Sequence, residues 1–122
     1  MRALPLILIA ALIALPAGAQ TPAPPQLARA FGNTIVSTYP DGRTGLLWLK
    51  ADGTYSGKGR RRLDSSGSWT FSRGKVCLKQ LKPTRQLIRY CTPLPAADSW
   101  TARAVTGEKI TVRLVPGIAE PK

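Results

Sequence analysis

Beyond residue 32 the chain alternates short runs rich in β-branched and aromatic residues with turn signals, and nowhere does an i, i+3, i+4, i+7 apolar stripe persist for three helical turns. The turn signals are Pro40-Asp41-Gly42, Ala51-Asp52-Gly53, the glycines at 57 and 59, the stretch 64–67, Ser72-Arg73-Gly74, Lys82-Pro83, the stretch 93–98 and Thr106-Gly107. Each supplies a residue that tolerates positive φ or arrives with φ already set. The intervals between them predict strands at about 33–39, 44–50, 54–58, 66–72, 75–81, 86–92, 99–105 and 109–115. Eight short antiparallel strands hide their edges best in a closed meander, so the expected fold is all-β, a small barrel or, failing that, a sandwich.

Alternation assigns faces. Ile110, Val112 and Leu114 share one face of the last strand, Trp100, Ala102 and Ala104 one face of the seventh, and Trp69 and Phe71 one face of the fourth. The second strand, Leu46-Leu47-Trp48-Leu49, is apolar on both faces. Either it is buried on both sides or one face covers a barrel end or a partner, and periodicity does not choose.

The two cysteines add a register. Cys77 and Cys91 each sit in a short alternating run, and pairing them as a disulfide across a hairpin makes opposed residue numbers sum to 168. Val76, Leu78, Ile88 and Tyr90 then face inward, while Lys75, Lys79, Arg89 and both cysteines face outward. Leu81 falls opposite Leu87, and Lys79 opposite Arg89. Like charges so placed cost a few tenths to about 1 kcal/mol, and an anion bridging Lys75, Lys79 and Arg89 would relieve the conflict. Splaying of the side chains into solvent is the competing explanation.

Residues 1–19 carry a lone Arg2, an apolar run from Leu4 to Leu15 and an Ala17-Gly18-Ala19 ending, the pattern of a secretory signal peptide cut before Gln20. Residues 20–30 are a Pro/Ala-rich flexible lead-in, with one helical turn expected near 27–31, residues 31–116 a single all-β domain and 117–122 a tail. Export to a periplasmic or extracellular space makes a disulfide of the cysteine pair.

Charge narrows the partners. The chain has 18 Lys and Arg against 6 Asp and Glu, with no His, a formal net charge of +12. Such a field favours anionic partners: lipopolysaccharide, anionic lipid, a polyanionic glycan or an acidic envelope protein. Nucleic acid is disfavoured because it is scarce in that compartment. A second basic cluster, Lys58, Arg60, Arg61 and Arg62, is expected as a mobile cationic loop suited to phosphate oxygens. A solvated turn is the plainer alternative. Trp48, Tyr55, Trp69, Tyr90 and Trp100 are the aromatic candidates for lining a barrel pocket, although small barrels also fill their cores this way.

No cofactor, metal site or catalytic centre is expected. Without His, Ser- or Cys-based chemistry loses its usual base, and two cysteines alone make a poor metal site. The carboxylates fall in turns, where the paired geometry of a glycosidase is not expected, although Asp41 and Asp52 could share a barrel end. The sequence therefore reads as a non-catalytic binding protein for an anionic envelope component. The alternatives are an inhibitor of an envelope-directed enzyme or a carrier of a small hydrophobic ligand.

The order of Gly32-Asn33-Thr34, Trp48-Leu49 with Asp52-Gly53-Thr54, Gly67-Ser68-Trp69, Val76-Cys77-Leu78 and Tyr90-Cys91 resembles a group of small, functionally uncharacterised secreted β-rich proteins of Gram-negative bacteria. The resemblance covers residues 31–92 and implies export and a β domain. Gly67-Ser68-Trp69 within a meander is also loosely similar to avidin-like and lipocalin-like barrels. No residue matches a biotin pocket, and no site is carried over.

Overall fold

A computed structural model describes residues 23–118. The leader at 1–19, the start of the lead-in and residues 119–122 of the tail at 117–122 lie outside the described residues. A short helix, α1 (Pro25–Ala28), precedes eight strands: β1 (Thr34–Thr38), β2 (Thr44–Leu49), β3 (Thr54–Lys58), β4 (Asp64–Ser72), β5 (Lys75–Lys82), β6 (Tyr90–Pro93), β7 (Ser99–Arg103) and β8 (Lys109–Val115). All pair antiparallel in one sheet of order β6-β5-β4-β3-β2-β1-β8-β7. The sheet curls into a nearly closed barrel. Its one unsealed seam lies between β6 and β7, which run side by side without a ladder, and the Tyr90 hydroxyl donates across it to the Arg103 carbonyl.

The face assignments from alternation hold in β4, β7 and β8. Ile110 and Val112 are buried, and Trp69, Phe71, Trp100, Ala102 and Leu114 pack against the same core as Ile35, Leu49, Tyr55 and Val76. β2 resolves into an inner face, Leu47 and Leu49, and an outer face, Leu46 and Trp48. On the outer face Leu46 opposes Val36 and Lys58. Trp48 donates its indole N–H to Thr34 Oγ1 at 2.9 Å.

One end of the barrel is closed. Leu27 and Ala30 from the segment around α1 are buried in the core, so residues that composition places in the lead-in contribute side chains to it. Phe31 meets Trp69 with ring centroids 5.8 Å apart, and the Trp69 indole donates to the Lys50 carbonyl at 2.8 Å. Leu94, between β6 and β7, is 2% exposed.

The cysteine hairpin forms with the expected register. Lys75 opposes Pro93, Val76 opposes Thr92, Cys77 opposes Cys91 and Leu78 opposes Tyr90, each pair summing to 168. The disulfide joins Cys77 to Cys91 with Cα atoms 3.9 Å apart. There the ladder stops. The sixth strand was expected over 86–92 but spans only Tyr90–Pro93, so Leu81 does not oppose Leu87 and Lys79 does not oppose Arg89. Ile88, expected inside, is 85% exposed, and Leu87 is 91% exposed. The physical reason is local: residues 83–89 close a loop instead of extending the hairpin, and Gln80 holds it by accepting from the Gln86 N–H and donating its side chain to the Thr84 carbonyl.

Candidate functional site: the open mouth of the barrel

Strand direction places the segments 39–43, 59–63, 83–89 and 104–108 at the end opposite α1. Below them the barrel interior holds a cavity of about 680 Å³. That lies within the roughly 300–1,000 Å³ typical of small-molecule sites. Leu47, Leu78, Ala104 and Ile110 give it an apolar wall, with Ser37, Ser65 and Gln80 as polar points and Tyr39, Ile88 and Arg89 toward the opening. A smaller hollow of about 360 Å³ lies at the closed end, lined by the ion-paired Arg29 and Asp98.

Two strand glycines are part of the cavity lining. Gly45 in β2 and Gly57 in β3 occupy inward register positions, opposite Ser37 and Leu47 respectively. A Cβ on Gly57 would come within 3.3 Å of both the Leu46 carbonyl and Ser65 Oγ. Gly67 serves a different purpose: at the bulge between β4 and β5 its Cα approaches so closely that a Cβ would lie 2.0 Å from the Lys79 carbonyl oxygen. Only glycine permits that contact.

Tyr55, on the inner face of β3, is 4% exposed and lines the cavity. Its hydroxyl makes no hydrogen bond to any described residue, and burial raises its pKa above the ordinary 10.0. Tyr39, nearer the mouth, also has a raised pKa, chiefly from burial and partly offset by Arg60. The Arg60 guanidinium stacks over the Tyr39 ring at 4.4 Å.

The four cations expected as a mobile loop are drawn apart. Arg60 binds Glu108 at 2.9 Å and approaches Asp41 at 3.7 Å, so one side chain ties the β3–β4 loop to those of β1–β2 and β7–β8. Lys58 pairs with Asp64 at 2.6 Å, and Arg62 reaches the Thr44 carbonyl at 3.4 Å. Arg61 is exposed and has no ion pair among the described residues. The other trio is dispersed as well: Lys75 and Lys79 lie on the outer wall of β5, while Arg89 stands at the mouth. Lys79 and Arg89 are not register partners, because the ladder ends at Leu78 and Tyr90.

The aromatics divide three ways. Tyr55 and Tyr90 line the cavity, Trp69 and Trp100 pack in the core, and Trp48 lies on the outer face. Sequence reasoning missed Gly45, Gly57, Ser65 and Tyr39. The available signal was glycine at inward positions of two adjacent strands, where a filled core would carry side chains.

The carboxylates among the described residues are occupied by structure. Asp52 accepts from the Thr54 N–H at 2.9 Å and its hydroxyl at 2.6 Å, which holds its pKa below the ordinary 3.8. Asp41 accepts from the Arg43 N–H at 2.9 Å, at the open end, so the two Asp-Gly turns occupy opposite ends of the barrel. Glu108 has its pKa lowered first by the Thr106 hydroxyl and then by Arg60. A general acid needs the reverse shift. Among the described residues no group of three or more His, Cys, Asp or Glu could hold a metal ion, and no helix is long and apolar enough to cross a membrane.

The architecture is that of small eight-stranded up-and-down barrels, consistent in outline with the lipocalin- and avidin-like class. Comparison with protein-family models, curated proteins and solved structures finds no match to this chain.

Proposed function

We propose that this chain is a non-catalytic binding protein of the periplasm or extracellular space, and that its ligand is an anionic lipid-like amphiphile. The apolar portion enters the barrel and the anionic head stays at the cationic mouth. The observation that carries this reading is the position of the 680 Å³ cavity, which opens at the end bearing the basic loops. An acyl chain is suited to the apolar wall of Leu47, Leu78 and Ile110. The Tyr55 hydroxyl supplies one donor for a polar atom that enters with the chain.

The test is fluorescence titration with dansyl-undecanoic acid below its micellar concentration. Expected are saturable binding, weakening with added salt, and loss of binding in Ser65→Phe, which fills the cavity from the β4 side. Equal affinity in Ser65→Phe, with circular dichroism showing an intact fold, would place the probe elsewhere and overturn the reading.

A further inference from the structure

Four of the large hydrophobic side chains that stand in solvent are at the open end: Leu63 at 69% exposure, Leu87 at 91%, Ile88 at 85% and Val105 at 77%. They come from three separate loops, β3–β4, β5–β6 and β7–β8, so no single irregular segment accounts for them. Exposed apolar side chains scattered singly carry little meaning, but a ring of them around a cavity entrance marks a contact surface.

The charge at the same end is strongly one-sided. Segments 39–43, 58–64, 82–89 and 103–109 hold ten Lys and Arg against three carboxylates, Asp41, Asp64 and Glu108. All three carboxylates are held in ion pairs with Lys58, Arg60 or Arg43. Arg61, Lys82, Arg85 and Arg89 are exposed and have no ion pair among the described residues.

Apolar tips interleaved with exposed cations match a surface that is anionic at its boundary and apolar just beneath. We infer that the barrel docks mouth-first on an anionic lipid bilayer, with Leu63, Leu87, Ile88 and Val105 entering the headgroup boundary and the rim cations on the lipid phosphates. Neither component alone suffices for peripheral attachment, and together they supply the two signals it requires. The inference rests on the proposed lipid-like ligand: a mouth seated on the bilayer lets an amphiphile pass between leaflet and barrel without exposing its chain to water. An acidic protein would satisfy the cations but would offer no general reason for apolar tips on three loops.

The experiment is co-sedimentation with phosphatidylcholine vesicles, with and without equimolar phosphatidylglycerol. It uses protein expressed from the full chain, in the form its own processing yields, with the N-terminus checked by intact mass. Leu63→Ser/Leu87→Ser is compared with Lys75→Ala/Lys79→Ala. The first pair alters the rim without lining the cavity, and the second removes charge from the outer wall.

The expected result is salt-sensitive sedimentation with the anionic vesicles only. It should fall about tenfold in the Leu63→Ser/Leu87→Ser variant while dansyl-undecanoic acid binding in solution is unchanged. The Lys75→Ala/Lys79→Ala variant should lose distinctly less. Equal sedimentation of the rim variant and the parent would overturn the docking surface, as would a larger loss in the wall variant, or sedimentation with an acidic protein but not with vesicles. A parent that binds the probe in solution but never sediments would refute docking and leave the ligand reading intact. One that binds neither would remove both.

Discussion

Replacing Cys77 and Cys91 by serine tests how the barrel's weakest boundary is held. The disulfide spans a sequence separation of 14, and its strand β6 has only four residues. On one side β6 pairs with β5 through four register positions, and on the other it faces the seam, where the Tyr90 to Arg103 bond crosses. Freeing a closed loop of about 15 residues in the unfolded chain removes about 3 kcal/mol of stability by the chain-entropy estimate. A domain of this size has only about 5–15 kcal/mol in total, so the loss is a large fraction. At a urea slope of about 1 kcal/mol/M, the unfolding midpoint should fall by about 3 M. Native-state hydrogen exchange should show a local effect as well, with the Tyr90 and Thr92 amides opening at free energies well below those of Ile35 or Val112 in the same variant. The reasoning fails if the midpoint moves by less than about 0.5 M, or if β6 exchanges no faster than β1 and β8.

Gly67→Ala should destabilise the protein by about 2–4 kcal/mol in a thermal or urea melt, because its Cβ would lie 2.0 Å from the backbone oxygen of Lys79 and the bulge must shift to admit it. Arg60→Gln should cost only about 1 kcal/mol, since its ion pairs are part-exposed and its stacking on Tyr39 is a single cation–π contact. In that variant the Tyr39 phenol should titrate at still higher pH, because Arg60 is what lowers it; ultraviolet absorbance of the phenolate checks the direction. Acid should weaken the fold in a defined window. Glu108 and Asp52 both have folded pKa values below their ordinary 4.5 and 3.8, so their contribution is present above those values and is lost as pH falls through the lower folded ones. Melting points that stay flat from neutrality to about pH 5 and fall below it are expected; a decline beginning above pH 6 would point to other groups.

The outline of the fold was legible because strand alternation and turn chemistry are local. Trp69 and Phe71, or Ile110 and Val112, need only a period of two to be assigned to one face, and the cysteine pair supplied the hairpin register. Local pattern failed where a loop imitates a strand. Leu87 and Ile88 continue the apolar run into Tyr90, yet they project from the barrel mouth because the 83–89 segment folds back as a loop on Gln80 of β5 instead of extending the β5–β6 ladder. Trp48 illustrates a second limit: in a strand apolar on both faces, only the curl of the sheet decides which face is the interior. The site depends on closure even more. Arg60 and Glu108 are 48 residues apart and meet because β1–β2, β3–β4 and β7–β8 loops share an end. The cavity was the least legible feature, since its lining comes from separate strands and loops that only closure of the barrel brings together.

The central claim is that an anionic amphiphile lies inside the barrel with its head at the mouth. Intermolecular nuclear Overhauser effects between an isotope-labelled long-chain fatty acid and the protein test it most directly. The account predicts contacts from the chain methylenes to Leu47, Tyr55 and Ile110, and chemical-shift changes for Arg89 near the carboxylate. Contacts confined to the outer wall around Lys75 and Lys79, or to the outer face at Trp48, would contradict it.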